Sequence, residues 1–204
     1  MSNKYLWWGV GGVVTLGLIV LLAVSIANEE VADESIGYGE VTIEGDVLPF
    51  LQDPANDPAV GTVAPTISGA DWNGNPVTIE PDGTPKIVIF LAHWCSHCQA
   101  EVPVVQAWVD GGNLPDSVEL LSIATSTNRT RPNWPPQDWL EEEGWTAPVI
   151  MDDQNFSSSI AYGMSGTPFY LVLDGNNTVL QRASGEIGVG GLAALAQIAA
   201  NSIG

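Results

Sequence analysis

An α/β domain with a mixed central sheet flanked by helices, preceded by one transmembrane helix, is the fold class that the sequence predicts. Three observations predict it. Compact β-branched runs alternate with helical stretches from Thr62 onward. The chain closes on a hairpin signal and an Ala/Leu-rich helix, which with the earlier alternation argues for a sheet covered on both faces. Tyr5 to Ala27 is a run of 23 residues without a charge, 17 of them hydrophobic, set apart from everything that follows.

Taken in order, the Tyr5–Ala27 run as a helix is roughly 34 Å long, which matches a hydrocarbon core of about 30 Å. Lys4 is its sole flanking cation, and Glu29, Glu30, Asp33 and Glu34 lie on the far side. Positive-inside asymmetry therefore places residues 1–4 in the cytoplasm, residues 5–27 in the lipid bilayer as a single-pass anchor, and the rest outside the cell membrane. A cleaved signal peptide is the alternative, with Ser25-Ile26-Ala27 as a small-x-small site, but its apolar region is usually about 7–15 residues. Under either reading the remainder works where disulfides persist. Residues 28–60 are rich in Asp, Glu, Pro and Gly and read as an acidic linker extended by self-repulsion, with the folded domain over 61–204.

Within that domain, Trp72-Asn73-Gly74-Asn75-Pro76 is a turn between Thr66-Ile67 and Val77-Thr78-Ile79, a hairpin signal. Lys86 to Leu91 reads as a strand buried on both faces. Cys98 to Val109 reads as a helix interrupted by Pro103, and Val118 to Ile123 as a second buried strand. Gln137 to Glu143 is a short helix, with prolines at its start and Gly144 past its end. A further helix spans Phe156 to Tyr162. Phe169–Leu173 and Thr178–Leu180 flank Asp174-Gly175-Asn176-Asn177, a second hairpin, and Gly191 to Ala200 is the terminal helix.

Charge and cysteine count exclude several functions. Of 204 residues, 24 are acidic and 5 basic, and from Glu29 onward four basic residues face all 24 acids, a net −20. Nucleic-acid binding through phosphates needs clustered Lys and Arg, so no nucleic-acid partner is expected. Two Cys allow one bridge at most, which excludes a multi-disulfide scaffold. With 45% hydrophobic residues and eight Trp, the chain is not an unfolded one.

The chemistry concentrates in His93-Trp94-Cys95-Ser96-His97-Cys98, which follows a buried strand and opens a helix. At a helix start, unpaired N–H groups and the positive end of the dipole favour thiolate over thiol, so Cys95 is expected to be the attacking sulfur. Cys98, one turn along, can resolve a mixed disulfide. A protonated His97 would stabilise the thiolate further and make the pair a better oxidant. A purely structural disulfide would close a four-residue loop and constrain the unfolded chain little. A zinc site from Cys95, Cys98, His93 and His97 would need four ligands within six residues to surround one ion, so no metal is expected. His93 reads as a loop residue.

The segment Phe90-Leu91-Ala92-His93-Trp94-Cys95-Ser96-His97-Cys98-Gln99-Ala100-Glu101-Val102-Pro103 resembles the active-site segment of thioredoxin-fold proteins. Its Glu101-x-Pro103 ending points to the membrane-anchored TlpA/ResA branch of the redoxin (AhpC/TSA-related) superfamily. Tyr162-Gly163-Met164-Ser165-Gly166-Thr167-Pro168-Phe169 resembles the family's Gly-x-x-x-Thr-Pro segment, and the likeness extends over roughly Gly61 to Asn201. The resemblance implies a thiol-disulfide oxidoreductase needing no cofactor. Cys95 is then the nucleophile, Cys98 the resolving thiol, and Pro168 a cis-proline facing them, with Thr167 offering backbone hydrogen bonds to substrate. It further implies that Trp94 shields the pair, that Glu101 handles protons, and that Pro103 kinks the active-site helix. Implied partners are extracytoplasmic protein thiols and disulfides, with apocytochrome c a candidate among them, and a membrane redox partner. Two departures matter. Ile89 stands where classical thioredoxins carry a buried Asp, and Ser96-His97 is neither the Gly-Pro of thioredoxin nor the Glu-Pro of ResA. Its His shares a position with the His of the oxidising DsbA class, which leaves the direction of electron flow open.

Two other functions compete. A thiol peroxidase wants a Pro-x-x-x-Thr-x-x-Cys frame, which Leu91-Ala92-His93-Trp94-Cys95 does not supply. A non-catalytic tethered binding domain would carry an inert disulfide with a potential below about −300 mV. The Asn128, Asn155 and Asn176 sequons are assigned no function, and Trp134, Trp139 and Trp145 read as core packing.

Overall fold

The chain is organised around strand β4, Lys86–Leu91, every residue of which is buried. The coordinates are a computed structural model that describes residues 36–203. Burial on both faces follows from the pleat, because successive side chains point to opposite sides. Ile87, Ile89 and Leu91 enter one core; Val88 and Phe90 enter the other. The sheet runs β6-β5-β4-β7-β8. Here β5 is Glu119–Ala124, β6 Val149–Met151, β7 Phe169–Leu173 and β8 Val179–Ser184. β5 lies parallel to β4 and β6 to β5, whereas β7 and β8 pair antiparallel. Four helices complete this part: α1 Ser96–Asp110, α2 Pro136–Glu142, α3 Ser157–Ala161 and α4 Gly188–Asn201.

The first core joins α1 (Val102, Val105, Trp108) and α4 (Leu192, Leu195, Ala196, Ala199) to one sheet face. The second gathers Phe90, Tyr162 and Phe169, whose rings meet edge-on at centroid distances of 5.8 and 5.5 Å around Phe90. Over it lies a three-stranded antiparallel sheet of β1 Thr42–Glu44, β2 Thr66–Ala70 and β3 Pro76–Ile79, which buries Ile67 and Ile79.

Several boundaries differ from the sequence expectation, each for a visible reason. Helix α1 runs on through Pro103, whose ring sits on the exposed side, while Val102 and Val105 are buried. β6 is too short to show a periodicity, yet it pairs with β5 through Ile123↔Ile150. β8 extends to Ser184 because its whole length pairs with β7. The largest difference concerns residues 37–60, expected as part of an extended linker but belonging to the folded unit. Leu48, Leu51 and Ala59 are buried in the second core. The segment's acidity is met by a cation from β8: Asp57 forms a two-pronged pair with the fully buried Arg182, which also donates to the Pro49 carbonyl at 2.8 Å. The Tyr5–Ala27 run lies outside the described residues. Among those described, no helix is long and apolar enough to cross a membrane.

Candidate active site

The register of β4 against β7 places the site. Phe90 faces Phe169, so the residues leaving β4 and those entering β7 emerge at one edge of the sheet. Ala92 to Cys95 turn there into α1, with the Cys95 N–H closing on the Ala92 carbonyl at 3.0 Å and Cys95 standing as the helix N-cap. The opposing strand enters through a cis Thr167-Pro168 bond, whose Thr167 carbonyl accepts from the Cys95 thiol at 3.3 Å. Cys95, Cys98, Thr167 and Pro168, 73 positions apart at the extremes, thus converge on one point.

The two thiols are unequal. Burial opposes ionisation of Cys95. Hydrogen bonds to its sulfur from the Thr167 side chain, the Cys98 and His97 N–H groups and the Cys98 thiol outweigh that, and hold it below the ordinary thiol value. Cys98 is fully buried, and desolvation outweighs the Ala92 N–H at 3.5 Å and the Thr167 side chain, so the thiol is pushed up to about 12. Ile89, also fully buried, supplies no proton acceptor beneath it.

His97 is 68% exposed and sets its Nδ1 2.5 Å from Glu186 Oε1. The Glu186 hydrogen bond and charge, followed by the Cys95 thiolate, raise its pKa above the ordinary imidazole value. Glu101, only 2% exposed, is not a solvated helix-surface residue. Its Oε1 accepts from the Tyr170 hydroxyl at 2.8 Å and from the Ile187 and Gly188 N–H groups at 3.0 Å each, joining α1, β7 and the start of α4. Burial, then the hydrogen bond to this carboxylate, pushes the Tyr170 phenol up.

Trp94 donates its indole N–H to Ser126 at 2.7 Å, and Arg131 lies 4.8 Å over its ring. His93 lies in the turn before Cys95, and its side chain is buried. It faces the Pro132 carbonyl through Nδ1 at 2.6 Å and accepts the Asn128 N–H at Nε2, 3.1 Å away. That pattern fixes the neutral, Nδ1-protonated ring, in keeping with a pKa lowered by burial. Its role is to hold the 128–133 loop against the site. The three tryptophans divide. Trp139 and Trp145 are core residues, whereas Trp134 lies half-buried against His93, ring centroids 5.9 Å apart. Sequence reasoning did not find Glu186, and nothing local to position 186 signals a partner 89 residues upstream.

No family model matches the chain. Over 111 residues it is 27% identical to the thiol:disulfide interchange protein HelX of Rhodobacter capsulatus, covering 52% of this chain and 55% of HelX. The chain thus spans about half the length of the curated relative it matches. A thiol:disulfide interchange protein of the thioredoxin family from Chlorobium tepidum superposes with a TM-score of 0.54 at 25% identity, over 69% of this chain and 97% of the other. StoA from Bacillus subtilis gives 0.55 at 21% identity, over 68% and 98%, a likeness of fold.

Proposed function

We propose that this chain, which belongs to the thioredoxin-like thiol:disulfide interchange proteins, exchanges dithiol for disulfide with protein substrates through Cys95 and Cys98. One observation carries the reading: a Cys95 thiol held below its ordinary value at a helix start, next to the fully buried Cys98, with the Thr167 carbonyl before the cis Pro168 bond at the Cys95 sulfur.

The steps balance without a cofactor. The Cys95 thiolate attacks one sulfur of a substrate disulfide, the substrate S–S bond breaks, and its other sulfur leaves as a thiolate that takes up a proton. Cys98 then attacks the Cys95 sulfur, the bond between Cys95 and the substrate sulfur breaks, and the proton that Cys98 gives up goes to the departing sulfur. The substrate departs as a dithiol, reduced by two electrons, and the Cys95–Cys98 pair is left oxidised. Forming the mixed disulfide removes the Cys95 charge, one of the causes that raise Cys98, and so eases its deprotonation at the step that needs it. Every step runs in reverse when substrate dithiols meet the oxidised pair. Stabilisation of the reduced form by hydrogen bonds to Cys95 and by a cationic His97 supports that reverse direction, disulfide donation. In this reading Trp94 covers the pair and the Thr167 backbone pairs with substrate. The uncharged Tyr5–Ala27 run and the net −20 beyond it support an extracytoplasmic, membrane-tethered setting with a membrane redox partner, and with apocytochrome c among the candidate substrates.

Cys98→Ser in the full chain tests the proposal, because it stalls exchange at the first step. Mixed disulfides through Cys95, released by reductant and absent from Cys95→Ser, are expected in cells. Failure to trap any protein, together with a Cys95–Cys98 disulfide inert to glutathione, would reject it.

A further inference from the structure

Exchange through Cys95 and Cys98 does not of itself require Glu186, yet the fold delivers that carboxylate to the dithiol. His97 and Glu101 are four residues apart on α1 and therefore lie one above the other on a single face. Glu101 turns inward and takes the N–H groups of Ile187 and Gly188, where α4 begins. Glu186, the preceding residue, comes to lie one turn away beside His97. The same segment is tied to the other half of the site. The Gly185 N–H donates to the Pro168 carbonyl at 2.8 Å and the Ser184 hydroxyl to the Gly166 carbonyl at 3.2 Å. Gly185 has a φ of 93°, the left-handed region that glycine enters without cost, and this bend aims position 186 back at α1. Four successive positions from 184 to 187, and Gly188 after them, are thus bonded to one or other side of the dithiol.

We propose that Glu186 is a positioning residue of the dithiol: its carboxylate orients the His97 ring and keeps it an Nδ1-donating cation beside the Cys95 sulfur, which favours the reduced pair. The inference rests on the exchange reading above and deepens it. Two charged groups face His97, Glu186 from the β8–α4 segment and Cys95 from its own helix start. The other titratable groups at this junction are committed elsewhere. Glu101 accepts from Tyr170 and α4, and Cys98 is a buried neutral thiol. The Cys95 thiolate is itself among the groups that raise His97, after Glu186, so imidazolium and thiolate stabilise each other. The coupling is reciprocal: oxidation abolishes the thiolate, and His97 must then hold its proton less tightly.

The test is Glu186→Gln in the full chain, which keeps size and polarity and removes the charge. Two quantities are read against pH: the His97 ring titration by NMR, in reduced and oxidised protein, and the dithiol–disulfide equilibrium with glutathione. The ring is expected to titrate at lower pH in Glu186→Gln. Between that titration and the wild-type one the variant should be a weaker oxidant by roughly threefold, about 14 mV for a two-electron couple. The difference should close near about pH 5, where His97 is protonated in both proteins. A ring titration superimposable on wild type would overturn the proposal, as would a potential offset equal at every pH, which marks a merely structural role. A wild-type dithiol inert to glutathione would instead sink the exchange reading, while the ring titration would still decide whether Glu186 holds His97.

Discussion

Cys95 and Cys98 are the same chemical group three residues apart, and their environments separate them. Cys95 stands at the helix N-cap with donors on several sides; Cys98 is sealed beneath it. Alkylation should report the difference directly. Iodoacetamide is expected to modify Cys95 along a pH profile centred below the ordinary thiol value, and to leave the buried Cys98 unmodified over that range. His97→Ala should move the Cys95 profile upward and make the pair a weaker oxidant by roughly tenfold, about 30 mV. An unchanged profile and potential would remove His97 from the chemistry. Both cysteines were legible in the sequence because a local feature, a buried strand turning into a helix, sets their chemistry. His93 sits in a turn, as the sequence suggests, but its bracing contacts are not legible there: its partners Asn128 and Pro132 lie 35 and 39 residues away.

At the scale of elements, one buried carboxylate joins three of them. Glu101 on α1 takes the Tyr170 hydroxyl of β7 and two backbone N–H groups where α4 begins, so it caps that helix from outside its own sequence. Deleting it would strand the buried Tyr170 hydroxyl and two half-buried N–H groups at once. Glu101→Ala is expected to cost about 3 kcal/mol in urea denaturation, since each orphaned buried polar group costs about 1–3 kcal/mol and the groups relax in part. Glu101→Gln keeps an accepting oxygen and should lose much less. Equal losses for the two variants would show that packing, not acceptance, matters at this position. The fold's long, strongly patterned elements could be read directly: β4, β7, α1 and α4 each carry enough apolar residues at a regular spacing. β6 has three residues and no period to detect. Residues 37–60 carry their anchoring side chains, Leu48, Leu51 and Ala59, at irregular intervals among acids, a pattern that only tertiary burial makes meaningful.

For the whole molecule, the excess of acid is organised by the few cations it contains. Of the four basic residues beyond Glu29, Lys86 and Arg182 are fully buried, each against an acid, Asp82 and Asp57 respectively. Arg129 and Arg131 both stand on the exposed loop that His93 braces. The two classes should respond oppositely to solution conditions. Self-repulsion among surface acids is screened by salt and relieved as carboxylates protonate, so added salt should stabilise the protein at neutral pH. The Asp57–Arg182 pair is buried, and salt reaches it little. Removing its anion leaves an uncompensated guanidinium beside the second core, and Asp57→Asn is expected to cost about 3–5 kcal/mol at pH 7. Burial raises the Asp57 pKa, but the Arg182 hydrogen bonds and charge outweigh burial and hold it below the ordinary carboxylate value. The sign follows: a depressed folded pKa contributes stability above the unfolded value of about 3.9 and loses it as pH falls through the lower folded one. The gap between wild type and Asp57→Asn in urea midpoints should therefore be constant from about pH 7 to 5 and narrow below about pH 4. At neutral pH it should survive about 0.5 M salt, because the screening that relieves surface repulsion does not enter the core. A gap that vanishes in salt would identify the pair as a surface contact, and residues 37–60 would then owe their place in the fold to Leu48, Leu51 and Ala59 alone.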